Sequence, residues 1–167
     1  MQGARVFNPD DYLRTPQGRV FTAERNAAAW ECLYANLEEL FATATTDIQL
    51  YVVMGVQGSG KSTWIRCHEQ ELGPCVAVVD AALPARRHRT RLLALAKHFN
   101  RKAIAVWLDV PLNLALVQNA TRPLDERVPE DALRSVFDLL EPPTLEEGFD
   151  DVLVPSREWF KPPDARA

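Results

Sequence analysis

Residues 48–63 read IQLYVVMGVQGSGKST, and the order of residue types in that stretch decides how the chain folds. Residues 48–54 are an apolar run, interrupted only by Gln49 and rich in β-branched side chains, the composition of a strand covered on both faces in a parallel sheet. The run leads directly into a glycine-rich turn made of Gly55, Val56, Gln57, Gly58, Ser59, Gly60, Lys61 and Ser62. A helix is expected over residues 62–72, with Gly73 and Pro74 as its stop signal. Strand, glycine loop and helix in this order form a phosphate cradle. Loop amides converge where no side chain intrudes, and the helix N-terminus adds partial positive charge. In such a cradle Lys61 bridges β- and γ-oxygens, Ser62 offers its hydroxyl to Mg²⁺, and Thr63 supplies a second hydroxyl in the same turn. The implied ligands are ATP and Mg²⁺.

Working outward, residues 4–7 predict a short strand that ends in the polar loop Asn8, Pro9, Asp10, Asp11. Thr22 is a good N-cap for a helix in which Trp30, Leu33, Tyr34, Leu37 and Phe41 recur at helical spacing. Downstream, residues 75–79 predict a strand that delivers Asp80 at its end, and Leu92, Leu95, Ala96 and Phe99 mark one face of a helix. Residues 103–108 follow as a strand and 112–120 as a short helix. Pro129, Glu130 and Asp131 open a further helix whose stripe is Leu133, Val136, Phe137 and Leu140, and residues 152–154 close the sheet. This alternation predicts an α/β protein, a three-layer P-loop NTPase fold with a doubly wound, mainly parallel five-stranded sheet and a short helical lid. Its ligand site lies outside the carboxyl ends of the strands. Residues 1–160 read as a single domain and residues 161–167, with Pro162 and Pro163, as a loose tail.

A chain of 167 residues, 47% apolar and 25% charged, builds one ordinary globular core and is neither fibrous nor disordered. No apolar run approaches bilayer length and the N-terminal MQGARVFNPDD has no signal core, so a cytoplasmic protein without membrane contact is expected. Cys32, Cys67 and Cys75 show no CxxC spacing and no zinc-site histidine, which predicts reduced, buried thiols. The net charge of −4 argues against holding nucleic acid by charge alone, although it leaves room for a local basic cleft.

Taken together, GSGKSTW, VVDAALPARRHRTRLLALAKHF, WLDVP, NATRPLDERVPEDALRSVFDLL and PPTLEEGF resemble the kinase domain of the 5′-hydroxyl polynucleotide kinases and their small P-loop relatives, over roughly two thirds of the chain. In that family a strand with an Asn-x-Asp-Asp-Tyr-like motif and its helix lie between the P-loop helix and the strand that here ends at Asp80. This sequence passes from Leu72 to Cys75 with no room for them, yet residues 5–41 resemble the missing unit. The resemblance therefore implies a reordered kinase.

It also implies roles. Asp10 aligns with the general base through the Asn8-x-Asp10 pattern, but the arginine three residues after the acid links Asp11 to Arg14 instead. Either aspartate fits, and Arg14 would hold an acceptor phosphate or carboxylate. Asp80, beside the P-loop strand, is placed to act on Mg²⁺ through water, or else caps a turn. Arg122 and Arg127 resemble lid arginines that close on the nucleotide phosphates. The run Arg86, Arg87, His88, Arg89, Arg91 is the densest positive stretch. It touches nucleotide or an acidic substrate, with Arg86 and Arg87 foremost, or forms a water-exposed helix flank. Asp109, His68 and His98 read as structural and Trp64 as packing.

The expected function is ATP-dependent phosphorylation of a hydroxyl acceptor, either a 5′-hydroxyl nucleic acid end or a small molecule. The alternatives are an ATP-binding regulatory module that has lost phosphotransfer, and a toxin-like kinase of a sugar nucleotide or cofactor.

Overall fold

The computed structural model describes residues 3–156, so the predicted tail at 161–167 lies outside the described residues. It is an α/β protein whose five-stranded parallel sheet is flanked by helices. In chain order the elements are β1 (Arg5–Phe7), a 3₁₀ turn (Pro9–Leu13), the two-residue strands β2 (Arg14–Thr15) and β3 (Gly18–Arg19), and α1 (Ala23–Thr43). Then follow β4 (Gln49–Met54), α2 (Lys61–Leu72), β5 (Val76–Asp80), α3 (Arg86–His98) and β6 (Ala103–Trp107). The chain continues with α4 (Leu112–Ala120), a 3₁₀ turn (Leu124–Glu126), α5 (Glu130–Asp138), a 3₁₀ turn (Leu145–Glu147) and β7 (Asp151–Leu153).

The sheet order is β1-β5-β4-β6-β7. Every neighbouring pair is parallel, with Val6 beside Val78, Val52 between Val79 and Ala105, and Val106 beside Leu153. All strands therefore end on the same side. Asn8, Gly55 and Asp80 are brought to one edge although they are far apart in sequence.

Strand alternation divides the core. On β4, Leu50, Val52 and Met54 face Leu33, Leu37 and Phe41 of α1 together with Leu92 and Ala96 of α3. Val53, with Tyr51 packed alongside, faces Trp64 and Ile65 of α2. The sheet is thus covered on both faces, as its mainly apolar central strands require. A satellite cluster of Val56, Val110, Ala115 and Leu133 joins α4 and α5 to the glycine loop. Thr22 caps α1 by accepting from the Arg25 N–H at 3.2 Å, the predicted arrangement.

Two expectations are corrected. The thiols are not buried: Cys32, Cys67 and Cys75 are all exposed, because the first two lie on the outer faces of α1 and α2 and the third in the turn before β5. The arginine run is not a uniformly solvated flank either, since Arg89 is fully buried. Its guanidinium forms a double hydrogen bond to Glu147, Nε to Oε2 and Nη2 to Oε1, both at 2.7 Å, while Nη1 donates to the Glu141 carbonyl at 2.9 Å. No helix among the described residues is long and apolar enough to cross a membrane.

Candidate active site

A cleft of about 1560 Å³ opens at the carboxyl ends of β1, β4 and β5. Its floor is the loop at residues 55–60 and the first turn of α2, which no side chain caps and which carries no acidic residue. The loop is held against α4. Gly58 has φ +79°, and a Cβ there would come within 2.4 Å of the Ala115 carbonyl oxygen, so only glycine lets the loop lie this close. The Gly55 N–H donates to the Ala82 carbonyl at 3.3 Å, joining the loop to the segment after β5.

Lys61 bends back over the loop, where Nζ donates to the carbonyls of Gly55 at 2.9 Å and Val56 at 3.1 Å. Burial of its ammonium lowers the pKa. Asp80 and Asp10 oppose that shift and Arg122 reinforces it. Asp80 accepts at Oδ2 from the Ser62 hydroxyl at 2.9 Å and from the Asn8 side-chain amide at 3.3 Å. Burial raises its pKa, against the pull of Lys61 and the Ser62 bond. Lys61 and Asp80 thus stand in each other's field, with smaller contributions from Asp10 and Arg122.

The loop fits a polyphosphate in two respects. The helix start is bare. The Ser62–Asp80 pair sets a hydroxyl and a carboxylate side by side, the donor types that Mg²⁺ takes. Among the described residues there is no group of three or more His, Cys, Asp or Glu that could hold a metal ion.

The predicted residues separate cleanly. Asp10, Asp11, Gln57, Gly58, Gly60, Lys61, Ser62, Thr63, Asp80, Arg87 and Arg122 all line the cleft, and Gly55, Val56 and Ser59 sit behind it as the loop's buried frame. Arg86, Arg14 and Arg127 do not line it. Arg86 faces a second groove with Lys97 and Arg101, because one residue along a helix is a turn of about 100° and the side of α3 that lines the cleft carries Arg87, His88 and Arg91. Arg14 reaches sideways to Asp11 and Glu126, each at 3.5 Å, and Arg127 donates to the Arg122 carbonyl at 3.2 Å. Trp64 packs as expected, buried in the core and stacked on His68, and its edge also lines the cleft.

Some residues escaped the sequence. Asn8 holds both aspartates of the site, donating to Asp80 and accepting from the Asp10 N–H at 2.9 Å. Arg19 pairs with Asp10 through Nη1 and Oδ2. Beyond them the cleft continues over Trp30 and Tyr34 of α1, where Arg91 lies 3.8 Å above the Tyr34 ring and grips Glu31. Helical spacing had marked Trp30 and Tyr34 only as core. The turn Thr15-Pro16-Gln17-Gly18 was the available signal for the hairpin that carries Arg19. No protein-family model matches the chain, and no curated protein matches it.

Proposed function

We propose that this protein is an ATP-dependent kinase of P-loop NTPase architecture that transfers the γ-phosphoryl group of ATP to a hydroxyl acceptor in line, without a covalent enzyme intermediate. The observation that carries the proposal is that Asp10, from the turn after β1, and Lys61, from the start of α2, line one cleft although they are far apart in sequence.

The loop amides and Lys61 bind the triphosphate, and Arg122 adds positive charge where oxygens gain negative charge during transfer. Ser62 and Asp80 would hold Mg²⁺, which supplies charge neutralisation at the phosphate oxygens when bound. Asp10 takes the proton of the acceptor hydroxyl as the acceptor oxygen bonds to the γ-phosphorus and the bond to the β-bridging oxygen breaks, releasing ADP. Trp30, Tyr34 and Arg87 line the arm of the cleft beyond Asp10, and its mixed aromatic and cationic character suits an acceptor with a planar ring and a negative charge.

The resemblance to 5′-hydroxyl polynucleotide kinases with a reordered chain gains support from the sheet. The N-terminal strand lies beside β5, the neighbour that a transposed Asn-x-Asp unit needs. A nucleotide-holding module without chemistry is the second reading. It is favoured by Arg19 occupying one oxygen of Asp10 and by Lys61 bonding the loop's own carbonyls.

Incubation of the protein with γ-labelled ATP and Mg²⁺, against single-stranded oligonucleotides with free 5′-hydroxyls, nucleosides and sugars, separates the two readings. Transfer to an acceptor that is lost in Lys61→Ala supports the kinase. Binding of nucleotide with no transfer to any acceptor overturns it. Asp10→Asn is expected to reduce turnover by about 10²–10⁴-fold while ATP still binds, and the same loss from Asp11→Asn alone would move the base to Asp11.

A further inference from the structure

The segment at residues 120–127, between α4 and α5, arches over the cleft and is pinched at its base. The Asn119 side chain, 4% exposed, accepts from the Val128 N–H at 3.1 Å and donates to the Val128 carbonyl at 2.7 Å. Beyond that bracket, the arch leans on the β2–β3 hairpin. Gly18 stands at φ +109° against Asp125, whose carboxyl oxygen is 3.4 Å from where a Cβ would be. Arg14 reaches Glu126 at 3.5 Å.

Arg19 makes the contact that matters most. Its side chain is only 16% exposed, and its two terminal nitrogens are divided between Asp10 Oδ2 and the Glu126 carbonyl, the latter at 3.1 Å. Glu126 in turn lies 3.7 Å from Arg122. One planar guanidinium thus ties the carboxylate assigned as base to the arch that carries the phosphate-facing arginine. The hairpin is a firm post for such a tie. Leu13, at its foot, is 1% exposed, the Val20 N–H donates to the Leu13 carbonyl at 3.0 Å, and Arg25 of α1 bonds the Val20 carbonyl at 3.1 Å. A lysine at this position offers a point charge rather than a fork and cannot serve both partners in the same way.

We infer that Arg19 is a positioning residue that couples docking of the 120–127 arch to the orientation of Asp10, so that the carboxylate is presented to the acceptor when the arch is seated. The coupling stands on geometry; its effect on turnover rests on the kinase reading.

Hydrogen exchange on the full chain tests the coupling without any activity. The probes are the Glu126 and Arg127 amides, which bond within the arch, and the Arg122 amide, which bonds the Asn119 carbonyl at its base. Arg19→Ala is expected to speed their exchange about tenfold, and Arg19→Lys to do so as well, while Gln17→Ala at the exposed hairpin tip leaves them unchanged. The Val20 amide reports whether the hairpin foot has stayed folded. Unchanged arch exchange in both Arg19 variants overturns the coupling, and so does faster exchange that is equal at Val20 and the arch.

Turnover supplies the second arm. Arg19→Ala is expected to lower kcat about tenfold or more with KM for ATP unchanged, Arg19→Lys to restore part of it, and Arg19→Ala to have no further effect in an Asp10→Asn background. Additive losses in that cycle overturn the positioning role. If the wild-type chain transfers phosphate to nothing, the kinase reading fails and the exchange arm alone decides whether Arg19 couples arch to hairpin.

Discussion

The Ser62 hydroxyl donates to Asp80 Oδ2 at 2.9 Å, joining the first turn of α2 to the end of β5 across the mouth of the cleft. Ser62 is exposed and Asp80 buried, so the bond serves the carboxylate more than the helix. Ser62→Ala leaves Asp80 only the longer bond from Asn8 at 3.3 Å. The fold should tolerate this with a loss of about 1 kcal/mol or less. Affinity for ATP in the presence of Mg²⁺ should fall about tenfold or more, and affinity in a chelator should barely change. Calorimetric titration in both buffers measures this, and equal losses with and without Mg²⁺ would remove Ser62 from the metal site.

Asp80 and Lys61 make opposite predictions for stability against pH. Burial raises the Asp80 pKa above its ordinary 3.8, so between that value and the raised one the folded chain binds more protons than the unfolded chain. Stability of the ligand-free protein therefore declines as pH rises through that window. Lys61 is lowered from 10.5 by burial, so between its lowered value and 10.5 the unfolded chain binds more protons and stability rises with pH. Urea denaturation across the acid-to-neutral range should show the Asp80 decline in the wild type and a flatter profile in Asp80→Asn. An identical slope in the two proteins would mean that Asp80 is not the buried acid responsible.

The Arg89–Glu147 pair holds α3 to the turn before β7, with side chains 0% and 3% exposed. Nη1 of the same guanidinium also donates to the Leu83 carbonyl at 3.3 Å, where the backbone adopts φ +43°, a conformation most residues avoid. Arg89→Met removes the ion partner of Glu147 and leaves its carboxylate only the Thr144 N–H at 3.1 Å, at a cost of about 3–5 kcal/mol. Combining it with Glu147→Leu should recover part of that loss, because removing both charges abolishes the unpaired one. Chemical denaturation of the two singles and the double decides it, and strict additivity would show that the pair is not a coupled unit.

How much of this was legible depends on the length over which each signal repeats. The strands at 49–54, 76–80 and 103–107 were readable because buried parallel strands are almost wholly apolar, with only Gln49 and Asp80 at their ends as exceptions. The β2–β3 hairpin has two residues on each side, too few for a period of two to register, so Arg19 stayed invisible. Arg89 looked like its neighbours in the positive run. The spacing 89, 92, 93, 96 does put it on the same face as buried Leu92, Leu93 and Ala96, but its partner Glu147 lies in a segment that no local pattern connects to α3. Arg86 was misassigned for the related reason that adjacent residues on a helix face different ways. The juxtaposition of Asp10 with Lys61 was reached through resemblance and not through local pattern, because strand order is a long-range property.

Gly58 offers the sharpest test of the loop itself. Its φ of +79° is already unfavourable for a side chain, and a methyl group would meet the Ala115 carbonyl oxygen at 2.4 Å and the Asn119 N–H nitrogen at 3.1 Å, both in the backbone of α4. Neither can swing aside as a side-chain tip would. Gly58→Ala must therefore push the loop from α4 or shift the helix, disturbing the Val56 and Ala115 contact at the same time. The backbone strain alone is on the order of 1–3 kcal/mol, which for a chain of this size lowers Tm by about 2–4 °C per kcal/mol. Nucleotide affinity should drop further than stability, since displaced amides no longer converge on one phosphate. Thermal melts combined with fluorescent-nucleotide titration measure both quantities. A variant that melts normally and binds nucleotide as tightly as the wild type would mean that the loop at 55–60 does not form the binding surface assigned to it.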